Sequence, residues 1–390
     1  MRLARRMNRL GTESAFEVLA KARALEKDGR KIIHLEIGEP DFDTPAHIIA
    51  AAQQALSEGH THYVPAPGIP ELRNAVADFL TRNERLAAAP EQVVVTPGAK
   101  PIMFFTILAL CEEGDEVLYP DPGFPMYASI ARFAGATPVA IPLRESHDFT
   151  IDPEELDSLV TDRTKLLILN SPHNPCGSSL TREQVEAIAE IALRRNLLVL
   201  SDEVYWALRY GGEQHSVLDV PGMAERTILL DGWSKTFAMT GWRLGFGVFP
   251  TALVEPITRL AINSVSCTSA FSQHAAIAAL TGPWDEVERM RSTFAHRREV
   301  ITSGLNAIPG ISCVRPGGAF YAFANVTELG RTAAELSDLL LERAGVAVTP
   351  GTAFGGYGEG YIRFSYASST DNISAALAAV ERVVRAELPG

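Results

Sequence analysis

A lysine and an arginine follow one of the apolar runs of this chain at a spacing that suits cofactor chemistry. Lys235 comes shortly after the strand-like residues 228–230, and Arg243 lies eight positions further on. On a continuous helix, that spacing puts the arginine about two turns beyond the lysine. A buried amine can form an imine with an aldehyde cofactor, and a guanidinium can hold its phosphate. A lysine in a turn is more often a simple surface residue, so the surrounding residues must decide.

Apolar runs alternate with amphipathic, helix-like segments through the middle of the chain. The runs occupy residues 93–97, 116–120, 165–170, 197–203 and 227–231. This alternation is typical of a mostly parallel sheet covered by helices on both faces, which is an α/β fold. In such a sheet, ligands bind beyond the carboxyl ends of the strands. The polar residues that follow the runs are therefore candidates for one shared site.

The pattern changes after Pro283, which predicts a second and smaller α+β domain. A long charged helical stretch there precedes an aromatic segment and a final strand, YIRFSYA. We expect residues 1–44 to pack with the small domain, residues 45–284 to form the large domain, and residues 285–390 to form the small one.

The residues after the apolar runs match the needs of a phosphorylated pyridine aldehyde, and the inferred cofactor is pyridoxal 5'-phosphate. A carboxylate must keep the ring nitrogen protonated, and Asp202 is the candidate, although it would also fit a helix cap. Asn174 and Tyr205 can donate hydrogen bonds to the phenolic oxygen. Phe124 or Tyr127 can stack on the ring, while core packing is the alternative for Tyr127.

Two further groups suit anions. Gly98, Ala99 and Lys100 stand at an expected helix start, where backbone N–H groups bind phosphate, and Arg243 adds a planar charged fork. An amino-acid substrate carries an α-carboxylate, which Arg363 on the expected small-domain strand can bind in a bidentate manner.

Five motifs then occur in order along the chain: GEPDF, YVPAPGIPELR, NSPHNPCG, SDEVY and SKTFAMTGWRLG. With these motifs the chain resembles the pyridoxal-phosphate-dependent aminotransferases of fold type I, in the class I branch that includes the bacterial aspartate aminotransferases. The likeness extends from about residue 35 to the final strand. It implies a large domain with a mostly parallel central sheet flanked by helices, and a smaller α+β domain.

The resemblance also implies roles for individual residues, with Lys235 as the Schiff-base lysine that acts in catalysis with Asp202 and Tyr205. The implied cofactor-binding residues are Tyr63, Gly98, Ala99, Lys100, Phe124, Asn174, Asp202, Tyr205, Ser234, Lys235 and Arg243, and the implied substrate-binding residues are Gly38, Asn174 and Arg363. Tyr63 resembles a tyrosine that reaches the phosphate in a neighbouring subunit, which implies a homodimer with shared sites.

The implied reaction moves an amino group from an L-amino acid to a 2-oxo acid by a ping-pong mechanism. A lyase or cyclase with the same cofactor would use the same lysine, so that alternative stays open. The chain departs from the family pattern at Phe124, where tryptophan is common, and at His173 and Cys176 in the NSPHNPCG motif. The roles of His173 and Cys176 and the identities of donor and acceptor stay open.

The composition argues against other classes of protein. A net charge of -12 and a pI near 5.3 do not suit a nucleic-acid partner. No apolar run leads into GxGxxG, which argues against a nicotinamide dehydrogenase. The four cysteines form no CxxC pair and suggest neither a zinc site nor a disulfide framework, which fits a reducing compartment. Since a polar segment follows the basic N-terminus and no run suits a membrane span, we expect a cytoplasmic protein.

Overall fold

The computed structural model describes residues 3–387. Its helices are α1 (Ser14–Lys27), α2 (Ala46–Ser57), α3 (Pro70–Arg82), α4 (Lys100–Leu110), α5 (Met126–Ala134), α6 (Pro153–Leu159), α7 (Arg182–Arg194), α8 (Trp233–Thr236), α9 (Thr251–Ser264), α10 (Ala270–Thr281), α11 (Asp285–Asn306), α12 (Ala333–Leu339) and α13 (Thr370–Glu387). Its strands are β1 (Ile33–His34), β2 (Val93–Thr96), β3 (Glu116–Asp121), β4 (Thr137–Pro142), β5 (Thr164–Asn170), β6 (Leu198–Asp202), β7 (Thr227–Gly232), β8 (Gly245–Val248), β9 (Ser312–Cys313), β10 (Tyr321–Asn325), β11 (Val346–Ala347), β12 (Thr349–Pro350) and β13 (Tyr361–Ser365). Within this part of the chain, no helix combines the length and the apolar character that a membrane crossing requires.

A large sheet dominates the described chain, with seven strands in the order β2-β8-β7-β6-β5-β3-β4. Strand β8 runs antiparallel to both of its neighbours, and the other neighbouring pairs are parallel. This arrangement confirms the predicted α/β fold class. The sequence did not reveal β4 and β8, because prolines interrupt the apolar pattern of TPVAIP and glycines dilute that of GFGV.

Helices cover both faces of the large sheet. Successive side chains of each strand point to opposite faces, so both sets are buried. Val94 and Ile168 pack with α4, α5 and α9 on one face, whereas Val95 and Leu229 pack with α2, α3 and α10 on the other. Each fully buried side chain of this size stabilises the fold by roughly 1.5–3 kcal/mol. Burial on two faces explains why the strands are continuous apolar runs in the sequence.

A smaller antiparallel sheet, β12-β13-β10-β9, packs against α11 and α13 and forms a separate core. The N-terminal segment joins this unit. Strand β1 pairs in parallel with β11, and Val18 and Ala22 of α1 pack against Leu341 and Ala347. These contacts join the N-terminal segment to the elements around the small sheet. The division into domains at residues 1–44, 45–284 and 285–390 stays a prediction.

The carboxyl ends of the central strands bring polar residues side by side. Asn170 at the end of β5 pairs in register with Asp202 at the end of β6, and Asp202 pairs with Leu230 of β7. Helix α8, which carries Lys235, begins directly after β7. The sheet therefore places three of the predicted site segments at one edge.

Candidate active site

A cavity of about 380 Å³ lies at this carboxyl edge, between the large sheet, the small antiparallel sheet and the N-terminal segment. The predicted site residues among those lining it are Gly38, Ala99, Lys100, Phe124, Asn174, Asp202, Tyr205, Ser234, Lys235, Arg243 and Arg363. The amine of Lys235, the carboxylate of Asp202 and the guanidinium of Arg243 thus face a single cavity.

Lys235 presents its amine to this cavity from the short helix α8. Its Nζ donates a hydrogen bond to the carbonyl oxygen of Gly38 at 2.5 Å. Burial lowers the pKa of Lys235 from 10.5 to about 8, and the charges of Arg363 and Arg243 contribute to the decrease. A neutral amine, which can act as a nucleophile or a base, is therefore accessible close to neutral pH.

Asp202 is held by two donors at the base of the cavity. Its Oδ2 accepts a hydrogen bond from the Tyr127 hydroxyl at 2.7 Å, and its Oδ1 accepts one from the Val204 N–H at 3.3 Å. Burial raises the pKa of Asp202 to about 6, and these two hydrogen bonds oppose the increase. Of the two candidates for ring stacking, Tyr127 is instead fully buried as a partner of the carboxylate, whereas Phe124 is half-buried on the cavity wall.

Asn170 connects Asn174 with the strand that carries Asp202. Its Oδ1 accepts a hydrogen bond from the Asn174 N–H at 2.9 Å, and its Nδ2 donates to the carbonyl oxygen of Asp202 at 3.0 Å. Asn174 Oδ1 in turn accepts a hydrogen bond from Arg363 Nη1 at 3.0 Å. The sequence interpretation missed Asn170, although its position at the end of the apolar run KLLILN was a usable signal.

Tyr321 is a second residue that the sequence interpretation missed. Its hydroxyl lies 2.7 Å from that of Tyr205, and its ring faces the Arg363 guanidinium at 4.5 Å, with Phe354 on Arg363 at 4.6 Å. A Cβ at Gly38 would come within 2.1 Å of the Tyr321 hydroxyl, so this position requires glycine. Tyr321 belongs to the aromatic segment that precedes the final strand in the sequence, but the sequence did not indicate which of its rings would face the site.

Gly98 and Arg243, which are predicted to bind the phosphate, lie close together in the structure. The backbone path from Lys235 to Arg243 differs from the expected one. Helix α8 ends at Thr236, so the expectation that Arg243 lies two turns further along the same helix was wrong. A 3-10 turn at Thr240–Trp242 and a left-handed φ of 53° at Arg243 redirect the chain. Arg243 Nη2 then lies where it would be 2.2 Å from a Cβ at Gly98, whose φ is +87°.

Lys100 and Tyr63 differ from the rest of the predicted set. The Lys100 side chain pairs with Glu13 of the N-terminal segment, so its backbone N–H at the start of α4 is the group that fits the expected role. Tyr63 is 90% exposed and is not among the residues that line the cavity of this chain.

His173 and Cys176 are buried and do not line the cavity. Burial lowers the pKa of His173 to about 3, which keeps the imidazole neutral. Burial also raises the pKa of the Cys176 thiol well above its usual value, so a reactive thiolate is disfavoured.

Comparison with known proteins identifies the family. A sequence model of aminotransferase class I and II matches residues 30–380. The chain belongs to this family. This aminotransferase accordingly moves amino groups between amino acids and oxo acids, as the sequence predicted, and the comparisons favour this activity over the lyase or cyclase alternative.

Similar proteins cover nearly the whole chain. It is 43% identical to an aspartate aminotransferase of Pyrococcus abyssi, over 91% of this chain and 92% of that protein. It is 42% identical to aromatic-amino-acid aminotransferase 2 of Thermococcus litoralis, over 91% and 92% of the two chains. The solved structure of aspartate aminotransferase from Thermus thermophilus with maleate matches with a TM-score of 0.94 and 38% identity, over 98% of this chain and 100% of that one.

Proposed function

We propose that this aminotransferase uses pyridoxal 5'-phosphate, bound in the cavity at the carboxyl edge of the large sheet. One observation carries the proposal. An amine, a carboxylate and two guanidinium groups, from Lys235, Asp202, Arg243 and Arg363, face the same cavity of about 380 Å³. Each of these groups matches a different part of the cofactor or of an amino-acid substrate.

The chemistry of the donors fits the ring of the cofactor. Asp202 would hold the ring nitrogen, because a buried carboxylate stabilises a positive charge next to it. The Asn174 amide and the Tyr205 hydroxyl would bind the phenolic oxygen. Phe124 would stack on the ring face, with a smaller contact area than a tryptophan would give.

The backbone around Gly98 fits the phosphate. A Cβ at Gly245 would come within 2.4 Å of the Ala99 backbone nitrogen, so both glycines are needed for the close approach of these segments. Backbone N–H groups at the start of α4, the Ser234 hydroxyl and the Arg243 guanidinium form a set of donors that suits a dianion.

When bound, the cofactor supplies an aldehyde carbon that accepts the amino group and a ring that withdraws electrons from the substrate Cα. Arg363 binds the substrate α-carboxylate, with the backbone at Gly38 close by. Lys235 Nζ takes and returns the proton at the substrate Cα, since its lowered pKa makes the neutral amine available. Amino donor and 2-oxo acid then use this one site in turn, which gives ping-pong kinetics.

Aspartate and the aromatic amino acids are the first donors to test, because similar proteins are named aspartate aminotransferase and aromatic-amino-acid aminotransferase.

We also propose that two copies of the chain form a homodimer in which Tyr63 of each copy reaches the phosphate site of the other. The exposure of Tyr63 supports this arrangement, since a tyrosine ring 90% exposed is available for a contact between subunits. The unpaired state of the four cysteines supports the expected cytoplasmic location.

The central experiment replaces the lysine. Lys235→Ala should lower kcat by about 10⁴-fold or more, because it removes both the covalent attachment and the base. Adding an amino donor should change the near-visible absorbance of the wild-type holoenzyme and leave that of the variant unchanged. Lys165→Ala, which removes an exposed lysine of β5, is the matched control and should keep wild-type activity. Full activity of Lys235→Ala would overturn the proposal.

A further inference from the structure

A buried ionic network lies directly behind the carboxyl ends of β6 and β7. Arg85 Nη1 donates to Asp231 Oδ2 at 2.6 Å, and Arg85 Nη2 donates to Glu203 Oε2 at 3.0 Å. The three side chains are 4%, 7% and 4% exposed, respectively. The Trp206 ring covers the guanidinium, with its centroid 4.4 Å from Arg85 Cζ. None of these residues lines the cavity.

Both carboxylates of the network are neighbours of Asp202. Glu203 follows it in the chain, and Asp231 follows Leu230, which pairs with Asp202 across the strands. Burial is the main cause of the raised pKa of Asp202, and the negative charges of Asp231 and Glu203 raise this pKa further. Arg85 therefore pairs with both carboxylates that disfavour an ionised Asp202.

In the described part of the chain, the groups other than Arg85 that donate hydrogen bonds to the carboxylates of Asp202 and Glu203 are neutral. Asp202 accepts hydrogen bonds from the neutral Tyr127 hydroxyl of α5 and from the Val204 N–H. The charge of Asp202 also contributes to the raised pKa of the nearby Tyr205. The second oxygen of Glu203 accepts hydrogen bonds from two neutral serine hydroxyls, Ser201 at 2.9 Å and Ser216 at 2.6 Å. Clustered buried carboxylates need a compensating cation, and Arg85 supplies it here.

We propose that Arg85 is a positioning residue of this aminotransferase: by pairing with Glu203 and Asp231, it screens Asp202 from their charge and keeps Asp202 available as the anion for the cofactor's ring nitrogen. The inference rests on the proposed function, because it assigns Asp202 that partner. Arg85 acts through Asp202 and does not touch the reacting atoms.

The test compares variants of Arg85 in the holoenzyme. In Arg85→Met, the acid limb of the kcat/KM profile should move up by about one pH unit, so that activity at about pH 6 falls roughly fivefold relative to activity at about pH 8. Arg85→Lys keeps a cation and should largely restore the profile. The variant Arg85→Met/Glu203→Gln/Asp231→Asn removes the cation and both acids, and should also return the limb towards its wild-type position. An equal loss at every pH in all three would show a purely structural role and overturn the proposal.

Cofactor affinity gives a readout that does not depend on turnover. Titration of the apoprotein with pyridoxal phosphate, followed by absorbance, should show the same weakening of Arg85→Met at low pH. If wild type binds pyridoxal phosphate and Arg85→Met binds it with the same pH dependence, the role of Arg85 is overturned and the proposed function stands. If wild type does not bind pyridoxal phosphate, the proposed function is overturned.

If Arg85→Met does not fold, the single variants Glu203→Gln and Asp231→Asn each remove a negative charge near Asp202, and should move the acid limb to lower pH. An unmoved limb in both would overturn the proposal. The control is Arg163→Met, which removes a guanidinium from the buried Glu116 at the other end of the strands and should leave the profile unchanged.

Discussion

At the scale of single residues, burial determines which charges the site can use. It lowers the pKa of Lys235 to about 8 and raises that of Asp202 to about 6. Each shift favours the neutral form of its group, as expected for charges removed from water. Above about pH 6 the carboxylate is ionised, and towards pH 8 the neutral amine becomes abundant, so the two groups suit catalysis close to neutral or mildly alkaline pH.

The shift at Lys235 predicts unusual reactivity in the apoprotein. An amine-acylating reagent should modify Lys235 with half-maximal rate near pH 8, since only the neutral amine reacts and burial favours that form. Mass spectrometry of the peptide that contains residue 235 measures the rate at each pH. The same lysine in urea-denatured protein is the control and should react with the pH dependence of an ordinary lysine, which titrates near 10.5. Identical profiles in both states would contradict the prediction.

The hydrogen bond from the Tyr127 hydroxyl lowers the pKa of Asp202, so its removal should raise that pKa. Tyr127→Phe removes a hydrogen bond that lowers the pKa of Asp202. The pKa should rise, and the acid limb of kcat/KM should move up by about one pH unit, because a hydrogen bond to a charged group contributes about 1.5–3 kcal/mol. Tyr119→Phe is the matched control, since the Tyr119 hydroxyl contacts Asp121 of the same strand, β3, and Tyr119 does not line the cavity. A pH profile equal to that of wild type would contradict this role of Tyr127.

At the scale of elements, the site depends on where strands end and helices begin. The turn at Gly98 between β2 and α4 is the clearest case, because the positive φ and the close approach of Arg243 both require glycine. The side chain of Arg243 thus reaches the start of α4 only because position 98 has no Cβ.

Gly98→Ala should weaken cofactor binding by about tenfold or more, because the added methyl group displaces the Arg243 guanidinium from the proposed phosphate site. Gly114→Ala is a control with similar backbone strain, since Gly114 has a φ of +102° but open space around its Cβ position. Both variants should lose about 1–2 kcal/mol of stability in thermal or chemical unfolding, because alanine disfavours a positive φ. Only Gly98→Ala should raise the Kd for pyridoxal phosphate, and a similar rise in Gly114→Ala would remove the specific argument.

At the scale of the whole molecule, the cavity exists because separate units meet around it. The end of β3 is tied to the loop between β12 and β13 of the small sheet, because Asp121 accepts hydrogen bonds from the backbone N–H groups of Gly356 at 3.1 Å and Tyr357 at 3.0 Å. The loop that is held in this way carries Phe354, which packs on Arg363. If Arg363 binds the substrate carboxylate as we propose, that binding is linked to the contact between β3 and the loop that carries Phe354.

The proposed homodimer predicts complementation between two defective chains. Light scattering should give twice the chain mass of 42.2 kDa. At limiting cofactor, Tyr63→Ala and Lys235→Ala should each be poorly active alone, while subunits mixed after partial unfolding should regain activity. Each hybrid dimer would combine Lys235 of one chain with Tyr63 of the other in one intact site. A monomeric mass, or no recovery in verified hybrids, would contradict the shared site.

The sequence by itself determined the fold class and the family, and eleven of the residues that it predicted for the site line the cavity. These features are local. Apolar runs with two buried faces mark the parallel strands, and the polar residues after them fall at one edge because parallel strands end on the same side. Asp202, Lys235 and Asn174 could be placed for that reason, before any packing was known.

Only the tertiary structure decided which distant residues contact the site residues and their neighbours. Tyr127 and Asp202 are 75 positions apart, Tyr205 and Tyr321 are 116 apart, and Arg85 and Asp231 are 146 apart. The path to Arg243 was also beyond the local pattern, since a spacing of eight residues fits two helical turns as well as a short helix followed by a left-handed turn. Contacts of this kind depend on how helices and domains pack, and no periodicity along the chain encodes them.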